Sequence, residues 1–206
     1  MEEAIEIQAG SVVLEGLLSL AGAPKSGAVV CHPHPLRGGD MHNNVVSGLV
    51  TALARAGIAT LRFNFRGAGR SGGVHDDGNA EQGDVDAAVD CLLARSGLSA
   101  VAVAGYSFGA MVGLRAGAAN PRVSKLVGVG PVLATRDFSF LEPVTKPKLL
   151  ISGDRDDYCP LAALKSLFER LAEPKSLTVI EGADHFFHGR EAQAGEAAAR
   201  FLSATA

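Results

Sequence analysis

Ser107 stands in the frame Gly105-Tyr106-Ser107-Phe108-Gly109, and Ser71 stands in Gly69-Arg70-Ser71-Gly72-Gly73. Both match G-x-S-x-G, a spacing that presents a serine hydroxyl on a tight turn for nucleophilic attack. A hydroxyl is a weak nucleophile until a histidine takes its proton, and that histidine needs a carboxylate to hold its tautomer. Both partner types occur downstream. Gly153-Asp154-Arg155-Asp156-Asp157-Tyr158-Cys159-Pro160 supplies aspartates, and Gly182-Ala183-Asp184-His185-Phe186-Phe187 supplies a histidine. The chemistry open to such a set is acyl transfer through a covalent serine intermediate.

Context chooses between the serines. The apolar run Val101-Ala102-Val103-Ala104 precedes Ser107, and the helical segment Ala110-Met111-Val112-Gly113-Leu114 follows it. That is the strand–turn–helix surrounding a strained nucleophilic serine needs, with glycines where a side chain would clash. The helix also starts with unpaired N–H groups, that of Phe108 among them, aimed where an oxyanion would form. Ser71 is followed by Val74-His75-Asp76-Asp77-Gly78, which has no helical period, so it reads as an exposed loop serine. The overlapping Gly67-Ala68-Gly69-Arg70-Ser71-Gly72 matches a dinucleotide fingerprint, but no helix opens inside it and Asp90 falls within the next helix.

The positioning elements follow from periodicity. Ile5–Ile7 and Ser11–Leu20 read as strands paired across a Gly10 turn. Ala28–His32, Ile58–Phe63, Ala100–Gly105, Lys125–Val129, Lys148–Ser152 and Leu177–Ile180 read as strands. Asn43–Ala56, Ala80–Ala94, Phe108–Ala119, Leu161–Leu171 and Glu191–Leu202 read as helices. The alternation predicts βαβ units and a mostly parallel sheet buried on both faces. The aspartate loop and His185 then follow successive strands, so both fall with Ser107 beyond the carboxyl ends of the sheet, where ligands bind in open α/β sheets.

The 206 residues fit one domain, 1–206, and the 47% hydrophobic and 20% charged content is that of a globular protein. A net charge of −3 and the lack of a Lys/Arg cluster argue against nucleic acid as a partner. No secretory signal and no apolar stretch of bilayer length is visible. Three widely spaced cysteines, Cys31, Cys91 and Cys159, suggest reduced thiols. The expectation is a cytoplasmic protein without membrane association, its oligomeric state unreadable.

At this point the chain resembles the α/β-hydrolase superfamily over nearly its whole length, and in particular small lid-less bacterial hydrolases of the dienelactone-hydrolase and esterase type. The resemblance rests on Cys31-His32-Pro33-His34-Pro35, Asn64-Phe65-Arg66-Gly67-Ala68-Gly69-Arg70-Ser71, the Gly-Tyr-Ser-Phe-Gly elbow and Gly-Ala-Asp-His-Phe-Phe. It implies a central sheet of about eight strands with an antiparallel N-terminal strand, helices on both faces and no cap domain. In that family the acid stands as G-x-x-D-x-x-V-P. Aligning Gly153 and Pro160 selects Asp156, with Cys159 in the valine's place, over Asp154 and Asp157, which would otherwise cap the helix near Leu161 or be solvated.

One oxyanion donor is expected to be the N–H of Phe108, and the second to come from the loop after the third strand. Pro33 and Pro35 have no N–H, which confines that donor to His34 or Leu36. The family's His-Gly-x motif favours His34, with Leu36 second. His32, His34 and His42 could also be read as metal ligands, but carboxylates and cysteines nearby are few, and no metal is expected. His75 and His188 read as loop or surface residues, and Cys31 as a buried structural thiol.

The expectation is a serine carboxylesterase that needs no cofactor and cleaves small or short-acyl esters through Ser107, since Pro131–Pro147 is too short for a lipase-sized cap. Lactones, thioesters or peptide bonds are alternative substrates for the same three residues. A non-catalytic binding protein of the same fold is the remaining alternative.

Overall fold

The computed structural model describes residues 2–20 and 22–204. Eight strands form one continuous sheet: β1 (Glu3–Ala9), β2 (Val12–Ser19), β3 (Gly27–Cys31), β4 (Ala59–Phe63), β5 (Val101–Tyr106), β6 (Val123–Val129), β7 (Lys148–Gly153) and β8 (Lys175–Ile180). Their order across the sheet is β1-β2-β4-β3-β5-β6-β7-β8. β1 and β2 form an antiparallel hairpin, β2 meets β4 antiparallel, and every other pair is parallel. Among the described residues four helices connect strands, α1 (Asn44–Arg55), α2 (Glu81–Ser96), α3 (Phe108–Ala119) and α4 (Leu161–Arg170), and α5 (Glu191–Ser203) follows β8.

Burial explains the strand sequences. β3, β5 and β7 are buried at every position, which is why they read as unbroken apolar runs. β8, at the sheet edge, is buried only at Ile180. Val45, Leu49 and Leu53 of α1 and Ala194, Ala198 and Leu202 of α5 cover one face of the sheet. Val85, Val89 and Leu92 of α2, Met111 and Leu114 of α3 and Leu164 of α4 cover the other. α1 and α5 approach so closely that a Cβ on Gly195 would lie 2.5 Å from the Gly48 carbonyl oxygen.

Boundaries differ from the sequence reading mostly at the sheet's margins. β1 begins at Glu3 because Glu3 and Ala4 pair with Leu18 and Leu17, a backbone ladder that does not require apolar side chains at an edge. α2 runs two residues further, to Ser96, and stops at Gly97 in the left-handed conformation. Asn43 caps α1, its side chain accepting from the Val45 N–H at 2.9 Å. The segment between β6 and β7 holds one short 3-10 turn, Ser139–Leu141, and no inserted helix. No helix among the described residues is long and apolar enough to cross a membrane.

Candidate active site

Ser107 occupies the single residue between β5 and α3 at φ 57° and ψ −118°. A non-glycine residue there is strained, and close backbone contacts hold it. A Cβ on Gly105 would lie 2.1 Å from the Gly109 carbonyl oxygen. One on Gly109 would lie 2.4 Å from the carbonyl oxygens of both Cys31 and His32. The two glycines of the motif therefore let α3 start against the end of β3. The Ser107 N–H donates to the Val129 carbonyl (2.9 Å), and its own carbonyl accepts from Ala110 and Met111 N–H. Phe108 and Gly109 precede those intrahelical bonds, so their N–H groups lie in the free first turn.

Three side chains named from the sequence meet here. Ser107 Oγ is 3.0 Å from His185 Nε2, and His185 Nδ1 is 2.9 and 3.0 Å from the two Asp156 oxygens. All three are buried, Asp156 at 4% exposure. Asp156 Oδ1 also accepts from the Tyr158 and Cys159 N–H groups, both at 2.9 Å. These donors fix the carboxylate as an acceptor for His185 Nδ1–H, which leaves Nε2 unprotonated toward the serine. Asp154 and Asp157 are exposed. Asp154 instead accepts from the Gly182 N–H at 2.6 Å, tying the loop after β7 to the one after β8. No side chain caps α4, so neither aspartate has the capping role weighed for it.

Other contacts around His185 carried no sequence motif. Gly130, at φ 52°, ends β6 beneath the imidazole, where a Cβ would lie 3.3 Å from His185 Cε1. The Tyr158 ring packs on the imidazole with centroids 4.6 Å apart. The Tyr106 hydroxyl donates to the His185 carbonyl at 2.8 Å. A glycine and a tyrosine at strand carboxyl ends, and a tyrosine in the loop after β7, were the available signals.

The loop after β3 separates the two expected oxyanion donors. His34 lines a cleft of about 550 Å³ together with Ser107, Phe108 and His185. Leu36 sits in the 3-10 turn Pro35–Arg37 at 72% exposure and is not part of that lining. His32 anchors the loop from below. Its Nδ1–H donates to the Pro33 carbonyl (2.6 Å) and its Nε2 accepts from the Phe65 N–H (3.0 Å). Full burial lowers its pKa to about 4, so the ring is neutral with both nitrogens committed. That leaves His32 no lone pair for a metal, and His42 is exposed. Burial pushes the Cys31 thiol well up, which makes it unreactive.

Ser71 is a structural residue. It is buried, its hydroxyl donates to the Asn64 carbonyl at 2.7 Å, and it accepts from the Glu15 N–H at 3.1 Å. The exposed-loop expectation is corrected accordingly. Neighbouring Arg66 forks onto the buried Asp84 carboxylate of α2, which also accepts the Arg66 N–H. His75 lies in a loop, as one of its two expected settings had it, with its side chain largely buried.

Comparisons with known proteins bear on the family and the fold. A family model described as serine aminopeptidase, S33, matches residues 24–146. An uncharacterized protein, RP471, of Rickettsia prowazekii (strain Madrid E) is 36% identical over 188 residues, 84% of this chain and 77% of that one. An alpha-beta serine hydrolase homologue from Coxiella burnetii is 35% identical, with a TM-score of 0.89 over 98% of this chain and 97% of its own. XC6422 from Xanthomonas campestris, described as an a/b serine hydrolase without lid, is 33% identical, with a TM-score of 0.88 over 100% and 97% of the two chains.

Proposed function

We propose, from the premise that the chain belongs to the serine aminopeptidase S33 family of α/β-hydrolases, that it is a serine carboxylesterase acting on small or short-acyl esters through Ser107. The observation that carries this reading is the unbroken contact from Ser107 Oγ through His185 to Asp156, at 3.0 and 2.9 Å. His185 Nε2 takes the Ser107 proton as Oγ adds to the ester carbonyl. The N–H groups of Phe108 and His34 stabilise the oxyanion, Asp156 stabilises the imidazolium, and His185 then protonates the departing alcohol. Water deprotonated by His185 adds to the acyl-enzyme, and collapse returns the acid and free Ser107. No step draws on a cofactor.

The family's description raises peptide bonds as the second substrate class. An aminopeptidase must hold a substrate α-ammonium, and a carboxylate is the group suited to it. The charged side chains lining this cleft beyond the triad are Arg37 and Arg136. That charge supports esters over free-amine peptides. Ferulic acid-bound Est1E from Butyrivibrio proteoclasticus, 18% identical with a TM-score of 0.85, shares the fold.

A fluorophosphonate probe tests the nucleophile. Wild type and Ser71→Ala should label and Ser107→Ala should not. Labelling that persists in Ser107→Ala and vanishes in Ser71→Ala overturns the assignment. A panel of p-nitrophenyl esters, thioesters, lactones and aminoacyl amides then ranks the bond types, with esters expected first.

A further inference from the structure

We propose that His34, His75 and Asp77 form a binding site for a divalent transition metal of the zinc type, beside the cleft and sharing His34 with its lining, and that filling it restrains the loop carrying the His34 N–H. One ligand-capable atom from each of the three residues lies within 4.8 Å of the others. Tetrahedral coordination at metal–ligand distances of about 2.0–2.1 Å places ligand atoms roughly 3.3–3.5 Å apart. Small side-chain rotations close that difference.

Unsatisfied polarity marks the same place. Among the described residues, three buried side-chain polar atoms have no hydrogen-bond partner, and two of them are His34 Nδ1 and His75 Nδ1. Of the two, His34 Nδ1 is the one that asks for a partner, because a buried, unpaired nitrogen is costly, whereas His75 Nδ1 faces a carboxylate. The His75 side chain is only 9% exposed. Its Nδ1 stands 2.8 Å from Glu81 Oε1, which leaves Nε2 as the ring atom free for a metal. Glu81 is itself buried and held by the N–H groups of Asp76 (2.7 Å) and Gly78 (2.9 Å). A carboxylate beside a histidine is the outer support that metal-binding histidines commonly have.

Packing holds the donors in register. The His34 and His75 rings lie 4.8 Å apart and rest on Phe108 at 4.9 and 5.3 Å. Asp77 is held at φ 50°. Both its oxygens accept from Arg136, one of them at 2.9 Å, and each keeps a further lone pair. Two imidazoles and one carboxylate suit zinc and its neighbours better than magnesium or calcium, and leave a fourth position for water. The proposed catalytic steps use neither His75 nor Asp77. His34 bridges the two functions, because it belongs to both the cluster and the cleft lining.

The test titrates metal-free, full-length protein with Co²⁺, read by visible absorption and displaced by Zn²⁺, while p-nitrophenyl acetate hydrolysis is followed in parallel. The expected result is one equivalent bound, with hydrolysis falling as the site fills. His75→Ala and Asp77→Asn should each weaken binding about tenfold or more, and His75→Ala should keep its metal-free hydrolysis. Ser107→Ala should bind like wild type, which separates this site from the esterase reading. Absence of metal-free hydrolysis in wild type would sink that reading, and the binding arms would still stand. Wild-type affinity in both His75→Ala and Asp77→Asn overturns the site, as does binding that His185→Ala abolishes and His75→Ala leaves intact. Stoichiometric binding without any effect on hydrolysis overturns the loop restraint.

Discussion

His32 shows how much a single buried imidazole can control. Its nitrogens bridge the Pro33 carbonyl and the Phe65 N–H, joining the loop after β3 to the one after β4. Burial sets its pKa near 4, below the ordinary histidine value of about 6.5. The folded state therefore binds fewer protons than the unfolded chain between those two values, and stability rises with pH there. The contribution is fully present above about pH 6.5 and lost as pH falls toward 4, on the order of 3 kcal/mol in total. Burial also lowers the pKa of His34, which adds to the same slope. Urea unfolding at a series of pH values should show the loss in wild type and a flatter slope in His32→Asn. Equal slopes would mean that the ring is not held neutral.

Asp156 carries the second residue-scale prediction. Replacing it with asparagine keeps the shape but favours the wrong imidazole tautomer, so kcat should fall roughly 10³- to 10⁴-fold. Asp154→Asn, at the exposed tie to Gly182, should change kcat little. Steady-state kinetics on one p-nitrophenyl ester compares the two. The sequence alone left three aspartates in one short loop, and family resemblance chose among them. The physical discriminator is burial together with two backbone donors at 2.9 Å. No spacing rule reports that.

The elements were legible where period and burial coincide, as in α1, α3 and the fully buried strands. The margins were less so, because β1 and β8 pair through backbone ladders whose exposed side chains obey no apolar rule. Contacts between elements were hardly visible at all. Arg66 and Asp84 read as a loop residue and a helix residue, yet they form one ion pair on a buried carboxylate. Glycine shows the same contrast within helices. Gly109→Ala would push a methyl to 2.4 Å from two β3-end carbonyl oxygens, and should destabilise by about 3 kcal/mol and abolish probe labelling. Gly83 in α2 faces open space, so Gly83→Ala should stabilise by about 0.5–1 kcal/mol with labelling unchanged. Denaturant melts of both variants check the pair. Destabilisation by Gly83→Ala would contradict the open space drawn for it.

At the scale of the whole molecule, reactivity depends on what the fold leaves uncovered. The only regular structure between β6 and β7 is the turn Ser139–Leu141, so no helical cap rises over Ser107. The cleft, about 550 Å³, is lined by His34, Phe108, Tyr158 and Phe186 among others. Phe186 is half exposed at its rim. Such a site can desolvate a short acyl group, but a long chain would leave most of its methylenes in water and forgo about 0.8 kcal/mol for each one left unburied. Acetyl and butyryl p-nitrophenyl esters should therefore give higher kcat/KM than the palmitoyl ester. Micelles or lipid droplets should bring no activation, since no cap has to open. A clear preference for long-chain triglycerides over short acyl esters would instead require an apolar channel that the walls of this cleft do not provide.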